Sequence, residues 1–327
     1  MTLISIVTSC LNEADNVVEL HQRIKAQFDA GGPAADFEFE HIYVDNGSTD
    51  ATVAQVKALA AADPRVKLIV NARNFGHVRS PLHGMYQASG QAVICMASDL
   101  QDPPELIAQF VARWRAGELI VLGVKPHSRE TWAMAALRRA YYRALRRMAD
   151  VPVIANFTGF GLYDRSVVTM IRELGDPYPY FRGLIAELGI RYATIEFEQP
   201  ARVRGITKNN FYTLYDLAML GLTSHSKLPL RLATLAGFTL SAASLLVSLG
   251  YLVAKLLFWQ YFTVGTAPII IGLFFFGAVQ LFFIGIVGEY VGAIHTQVSR
   301  RPLVIEKERV NLPPGPALPR HSGGAEP

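Results

Sequence analysis

The sequence predicts an α/β domain built on a mostly parallel, doubly wound sheet, followed by a two-helix transmembrane hairpin. Three observations carry this reading. Short apolar runs alternate with helical patterns through the N-terminal part of the chain, the rhythm of strand–helix–strand units. Polar and acidic clusters follow the apolar runs, at the strand ends where open α/β sheets bind ligands. Two long stretches near the C-terminus carry no charged residue at all.

Leu3–Thr8 reads as a first buried strand, and Val17, Leu20, Ile24 and Phe28 recur at helical spacing over Leu11–Phe28, which Gly31-Gly32-Pro33 ends. Phe39–Val44 is a second strand. The turn Asp45–Asp50 (DNGSTD) then caps a helix over Ala51–Ala62. Val66–Val70 and Val93–Met96 are further strands, with a helical stretch around Ser80–Ala88 between them. No Gly-x-Gly-x-x-Gly follows the first strand and no P-loop occurs, which argues against a nicotinamide dehydrogenase and a P-loop ATPase.

The run Val93–Glu105 (VICMASDLQDPPE) changes from buried strand to polar loop within three residues, and Pro103-Pro104 stop the strand. Oxygen ligands such as Asp99 and Gln101 suit a hard cation, Mg²⁺ or Mn²⁺, that holds a pyrophosphate. The same residues also suit a plain strand-to-helix turn, with Asp102 near a helix start and Pro103 well placed there.

Residues 131–150 form a basic amphipathic helix in which Arg138, Arg139, Arg143, Arg146 and Arg147 share the surface with Trp132, Leu137 and Tyr141. It suits a membrane interface, the favoured reading because membrane spans follow, with an ordinary solvated surface helix as the alternative; residues 210–226 read as a second interfacial helix. Leu232–Ala254 and Ala267–Gly288 each exceed the about 20 residues that cross a bilayer core, giving spans at about 232–254 and 267–290. Trp259 and Tyr261 between them suit the headgroup level, and Lys227, Arg231, Arg300, Arg301 and Lys307 flank the pair, so both termini face the cytoplasm. The chain thus divides into a cytoplasmic domain over 1–226, a membrane hairpin over 227–298 and a partly disordered tail over 299–327, rich in Pro, Gly and Ala at its end. Leu3–Val7 has no basic leader and does not read as a signal peptide.

The bulk numbers agree. Hydrophobic residues make up 51% of the 327, an excess concentrated between Leu232 and Gly288, and the net charge of +4 gives no footprint for nucleic acid. Cys10 and Cys95, both at the ends of apolar runs, read as free thiols in a reducing compartment. Gly237, Gly250, Gly272, Gly277, Gly285 and Gly288 in the two spans allow close helix approach, which predicts a homo-oligomer or close packing within the hairpin.

With its segments SIVTSCLNEADNV, YVDNGSTDAT, RNFGH, SDLQDPPELI, YFRGLIAELG, RVRGITK and GEYVGAIHTQVSRRP in order, the chain resembles the family 2 glycosyltransferases of the polyprenyl-phosphate type, which include dolichyl-phosphate mannose synthase and the bactoprenol glucosyltransferases. The resemblance runs from residue 4 to about residue 305. It implies a GT-A-like fold and inverting transfer of a sugar from a nucleotide diphosphate sugar, UDP- or GDP-linked, to a polyprenyl (undecaprenyl) phosphate on the cytoplasmic face of the inner membrane. It further implies a tetramer, a nucleoside site lined by Glu13, Asp45 and Asn46, and a divalent cation on Asp99 and Gln101. Arg204 and Lys208 would grip phosphates, as would Arg182; a basic surface loop near anionic lipid is the other reading of Arg204 and Lys208. Three positions depart from the pattern. Ala97 replaces the first Asp of Asp-x-Asp, Asn46 the second Asp of Asp-Asp-Gly-Ser, and Thr158-Gly159-Phe160-Gly161 the Gly-Asp-Phe-Arg segment, with Asp164 further on. The competing readings are transfer to another membrane acceptor, a glycolipid or polysaccharide, and a catalytically silent relative serving as a membrane scaffold. The Gln-x-x-Arg-Trp motif of processive synthases is missing, which counts against polymerisation.

Overall fold

Nine residues, Thr2–Cys10 (β1), form the centre of the sheet and are paired on both sides. The computed structural model describes residues 1–125, 154, 157–176, 181–199, 228–257, 267–298 and 302–314. They fall into a sheet unit drawn from Met1–Arg139, Pro152–Asn210 and Arg300–Pro327, and a helical unit drawn from Ala140–Val151 and Phe211–Ser299.

In the sheet unit, β1 is followed by α1 (Ala14–Phe28), β2 (Phe37–Asp45), α2 (Thr52–Ala62), β3 (Val66–Asn71), α3 (Arg79–Gln87) and β4 (Ala92–Ala97). Each element expected over this stretch is present, with bounds that differ by at most three residues. A short turn of 3-10 helix at Pro104–Leu106 leads into α4 (Ile107–Arg115), then β5 (Ile120–Val124), β6 (Phe157–Asp164), α5 (Arg165–Leu174), α6 (Phe181–Glu187) and β7 (Ala193–Glu196). The last strand, β8 (Glu306–Val310), comes from beyond the helical unit. The strand order is β7-β5-β6-β4-β1-β2-β3-β8. β1 to β4 are mutually parallel, β5 and β7 are parallel to each other, and β6 and β8 run antiparallel to their neighbours. The sheet is therefore mixed, though mostly parallel.

Helices on both faces explain the near-continuous apolar text of the central strands. Ile4 and Ile6 of β1 and Phe39 and Tyr43 of β2 pack with Val17, Leu20 and Ile24 of α1 in one core. Val7, Ile42 and Val44, on the alternate positions, pack with Leu82 and Met85 of α3 in the other. α3 lies hard against the sheet at Gly84, where a Cβ would sit 2.6 Å from both Val7 and Val44 methyl carbons.

A polar pair sits inside the α1 core. His21 and His41 stack with ring centroids 5.5 Å apart, their Nδ1 atoms 3.2 Å apart, and His41 Nε2 is 3.1 Å from Thr8 Oγ1. Burial holds both imidazoles below the usual histidine range, most strongly His41; Asp63 pulls His21 the other way without reversing it. The unfolded chain takes up these protons as pH falls through about 6.5, while the folded chain resists. Stability is thus complete above that pH and declines below it, at a limiting slope of about 1.4 kcal/mol per pH unit for each imidazole kept neutral. The thermal midpoint is expected to drop between pH 7.5 and 5.5, and His41→Asn to flatten that dependence.

The stretch 299–327, expected as a tail, contributes β8. It pairs with β3 in the register Leu68↔Val310, Ile69↔Arg309, Val70↔Glu308 and Asn71↔Glu306. Lys57 Nζ reaches Glu308 at 2.7 Å, and Asn311 Nδ2 donates to Ala60 O and Val66 O at 2.8 and 2.9 Å. Glu306 accepts from Arg309 and is bonded to His83 of α3; burial alone would raise its carboxyl, but these partners outweigh it and bring it down to about 2. A hydropathy pattern does not reveal this strand because it is short and charged, as exposed edge strands are. The final residues, from 315, lie outside the described residues.

The helical unit holds α7 (Leu228–Leu257) and α8 (Ala267–Val298), which touch one another. Within α8, Phe275–Gly292 is long and apolar enough to cross a membrane; in α7 the apolar stretch Leu232–Ser244 is shorter. Of the two expected spans, one therefore qualifies by length and composition among the described residues. Thr234, Thr239, Ser241, Ser244 and Ser248 dilute the first. The expected interfacial helices at 131–150 and 210–226 lie outside the described residues.

Candidate functional site

The parallel strands β1, β2, β3 and β4 all end at one edge of the sheet, and side chains knit together the loops after β1, β2 and β3. After β1, Asn12 N donates to Ser48 Oγ at 2.9 Å and Asn12 Oδ1 accepts from Thr49 N at 2.8 Å. Glu13 N donates to Thr52 Oγ1 at 2.9 Å, and Glu13 Oε2 accepts from Asn16 Nδ2 at 2.6 Å. These bonds need Asn12 in the left-handed region, φ +56°, which Asn tolerates better than most residues.

After β2, Asp45 is 1% exposed and its carboxylate accepts from Gly47 N and Ser48 N, both at 3.1 Å, a closed Asx turn. Gly47 sits at φ +85°, and a Cβ there would lie 3.0 Å from Arg73 C and Asn74 N. Only glycine lets the loop after β3 approach this closely.

After β4, the polar segment folds back on itself. Asp99 Oδ1 accepts from Gln101 N at 3.2 Å, and Asp102 Oδ2 accepts from Ala97 N at 2.9 Å. Asp102 is 5% exposed, and burial pushes its carboxyl up to about 6 against the pull of the Ala97 N–H and Lys125. Leu100, between them, is held at φ +60°, a conformation that costs a non-glycine residue about 1–2 kcal/mol. Strain of this kind persists where surrounding bonds over-determine it, commonly at functional sites. Asp99 and Gln101 are half-buried, and Ala97 is exposed at the strand end.

Glu13, Asp45, Asn46, Asp99 and Gln101 are thus brought to one edge. β1 separates β2 from β4, so the Asp45 and Asp99 loops stand two strand spacings apart, about 10 Å. Arg182 lies in α6; its side chain, Arg204 and Lys208 lie outside the described residues. Asn46 has its amide turned inward, onto the loop after β3. Asp164 is not at this edge. It stands opposite Ala92, at the amino end of β4, where it caps α5 through Ser166 N and accepts from Trp114 Nε1 at 2.8 Å. The antiparallel run of β6 puts Gly159 and Phe160 at the site end instead, without a carboxylate. The brace from Asp102 to Ala97 was not legible in the sequence, where Asp102 reads equally as a helix start.

As a cation site the edge offers one carboxylate and one amide oxygen after β4. No group of three His, Cys, Asp or Glu among the described residues is placed to hold a metal ion. These donors fit a hard cation that takes its remaining ligands from a bound diphosphate and water. Cys10 and Cys95 are free thiols, and burial raises both, Cys95 to about 12, so neither serves as a nucleophile.

Residues 5–171 match glycosyl transferase family 2. An uncharacterized glycosyltransferase of Bacillus subtilis, YkcC, is 33% identical over 309 residues, 94% of this chain and 94% of its own. The SfII prophage-derived bactoprenol glucosyl transferase of Shigella flexneri is 32% identical over 307 residues, covering 93% of this chain and 97% of its own. Among solved structures, mannosyltransferase PcManGT from Pyrobaculum calidifontis, in complex with GDP-Man and Mn²⁺, aligns over 91% of this chain and 86% of its own, at 18% identity and a TM-score of 0.46.

Proposed function

The chain belongs to glycosyl transferase family 2, and from that premise we propose that it moves a sugar from a nucleotide diphosphate sugar to a polyprenyl phosphate at the membrane, with inversion. The carrying observation is that the alignment with the Shigella bactoprenol glucosyl transferase spans 93% of the chain, so it takes in the polar edge and the long apolar helices together. In the reaction, an oxygen of the acceptor phosphate forms a bond to the sugar's anomeric carbon as the bond to the nucleoside diphosphate breaks. The incoming phosphate is already anionic, so no proton need be removed from it. Positioning and charge neutralisation supply the rate.

Asp99 and Gln101 would hold a divalent cation, which when bound neutralises charge on the leaving diphosphate. Glu13 and the Asp45 turn shape the nucleoside side, and Arg182, Arg204 and Lys208 are the proposed phosphate grips, as a fork or a point charge. With Ala97 at the strand end, cation binding should depend on the nucleotide. Mn²⁺ titrated alone is expected to bind weakly and with UDP tightly, and Ala97→Asp should strengthen the binding of Mn²⁺ alone by about 10-fold or more. Calorimetry with and without UDP checks this.

The membrane part of the proposal rests on α7 and α8. Leu235, Phe238, Leu246 and Val247 of α7 and Leu273, Leu281 and Phe282 of α8 are 62–71% exposed, an apolar surface that water does not favour. Thr234 and Thr239 bond back to Leu230 O and Leu235 O, as hydroxyls in lipid must. β8 returns the chain to the sheet it left, which supports an even number of crossings. If α8 crosses, α7 supplies the second crossing, with both termini on the cytoplasmic side by the flanking Lys and Arg. The seven glycines of α7 and α8 have nothing within 4 Å of a Cβ, leaving room for self-association, which a mass in mild detergent would reveal.

The test is an activity screen. Protein in detergent is given undecaprenyl phosphate and a panel of UDP- and GDP-sugars, with and without EDTA, and lipid-extracted product is weighed by mass spectrometry. A mono-phosphate-linked sugar is expected. Nucleotide binding without transfer would sink the polyprenyl acceptor and favour a different membrane acceptor or a silent relative.

A further inference from the structure

We propose that Asn46 is a positioning residue rather than a nucleotide ligand: its amide holds the loop between β3 and α3 against the Asp45 turn and so shapes the donor side of the site. This rests on the glycosyl-transfer reading above. Asn46 is 4% exposed. Its Nδ2 donates to Asn74 Oδ1 at 2.8 Å and to Gly76 O at 3.2 Å. Its Oδ1 accepts from Phe75 N and Ser80 Oγ, both at 2.8 Å, and from Asn71 Nδ2 at 3.3 Å. Two of these partners fix which end of the amide is which. A backbone N–H can only donate and a backbone carbonyl can only accept, so Oδ1 must face Phe75 and Nδ2 must face Gly76.

The arrangement needs an amide. A carboxylate at 46 would keep the bond from Phe75 N but set a second oxygen against Gly76 O and Asn74 Oδ1, losing two donations and adding repulsion inside a buried site. The presence of Asn beside Asp45 therefore matches the asparagine- and glycine-bearing loop Asn71-Ala-Arg-Asn-Phe-Gly-His77. That loop packs onto Gly47, whose Cβ would lie 3.0 Å from Arg73 C and Asn74 N. A shift in it reaches the Asp45 turn directly, and through Ser48 the Asn12 loop.

The experiment compares wild type with Asn46→Asp, which is isosteric, and Asn46→Ala. Three quantities are read: amide exchange of the peptide covering residues 72–77, UDP affinity by calorimetry, and donor KM against kcat. For Asn46→Asp we expect exchange in 72–77 to rise by about 10-fold while β1 and β4 stay protected. UDP affinity should fall and donor KM rise by about 10-fold with kcat little changed, as for a misplaced rather than deleted contact. Unchanged exchange overturns the proposal, as does raised exchange with unchanged UDP affinity, or a fall in kcat alone. Should Asn46→Ala fail to fold, Asn46→Asp decides. Should the wild type transfer no sugar, exchange and UDP affinity still read the role of Asn46, so the two failures are distinguishable.

Discussion

Asp99→Asn is expected to lower kcat by about 10²–10³-fold, the loss seen when one pre-organised charge-stabilising group is removed from an active site, with the thermal midpoint unchanged. Ala97, two residues earlier, carries no side-chain oxygen. Asp102 is committed to Ala97 N, Gly159 and Phe160 of β6 bring no carboxylate, and Asp164 is at the far end of β4. The loop after β4 therefore concentrates its charge in Asp99, where an ordinary Asp-x-Asp would share it between two residues. Transfer assayed with saturating donor, beside a melting curve, checks the result. Retention of more than about a tenth of the activity would place the transition-state charge elsewhere, and an unaffected cellular role would favour the scaffold reading.

The largest expected effect on stability comes from Glu40→Ala. Glu40 is 2% exposed and lies at the opposite end of the sheet from the site. Its carboxylate accepts from Ser5 Oγ and Lys67 Nζ, from Ser89 N at 2.6 Å and from Ser89 Oγ at 2.8 Å. Burial by itself would raise this carboxyl, but Lys67, Ser5 and Ser89 together hold it below the usual range. Truncation leaves a part-buried ammonium and several donors unpaired. Breaking such a pair costs about 3–5 kcal/mol, a fall in midpoint of roughly 10 °C for a domain of this size. Because the cost is the orphaned lysine, Glu40→Ala combined with Lys67→Met should recover part of it. If the double variant is no more stable than the single, the charge pair is not the cause.

How much was legible in the sequence follows from where each signal lives. β1 to β4 were readable as short, near-continuous apolar runs bounded by polar turns, as in Leu3–Val7, and α1 from apolar residues at helical spacing, Val17, Leu20 and Ile24. The gathering of Glu13, Asp45 and Asp99 at one edge followed from parallel order alone. Features that depend on pairing between distant segments were not readable. β6 runs antiparallel, which sends Asp164 to the wrong end; no local pattern encodes strand direction. The role of Asn46 depends on a loop about thirty residues away that has no regular structure. β8 hides in Glu306-Lys307-Glu308-Arg309-Val310, whose charges suit an exposed edge and defeat any search by hydropathy.

The union of β3 with β8 also sets a timetable. About 240 residues separate Asn71 from Val310, and at 5–20 residues per second a ribosome needs roughly 10–50 s to make them. Until then β3 is the open margin of the nascent sheet, with its amides and carbonyls available to any passing strand. Both long apolar helices emerge during that wait. If the helices enter a bilayer as proposed, a chain whose helices stall on the way in would not deliver its last strand, and its sheet would stay unsealed. On the membrane reading proposed above, insertion of the helices and closure of the sheet would be coupled steps, and a lesion in the helices would show itself as an exposed edge far away in the chain.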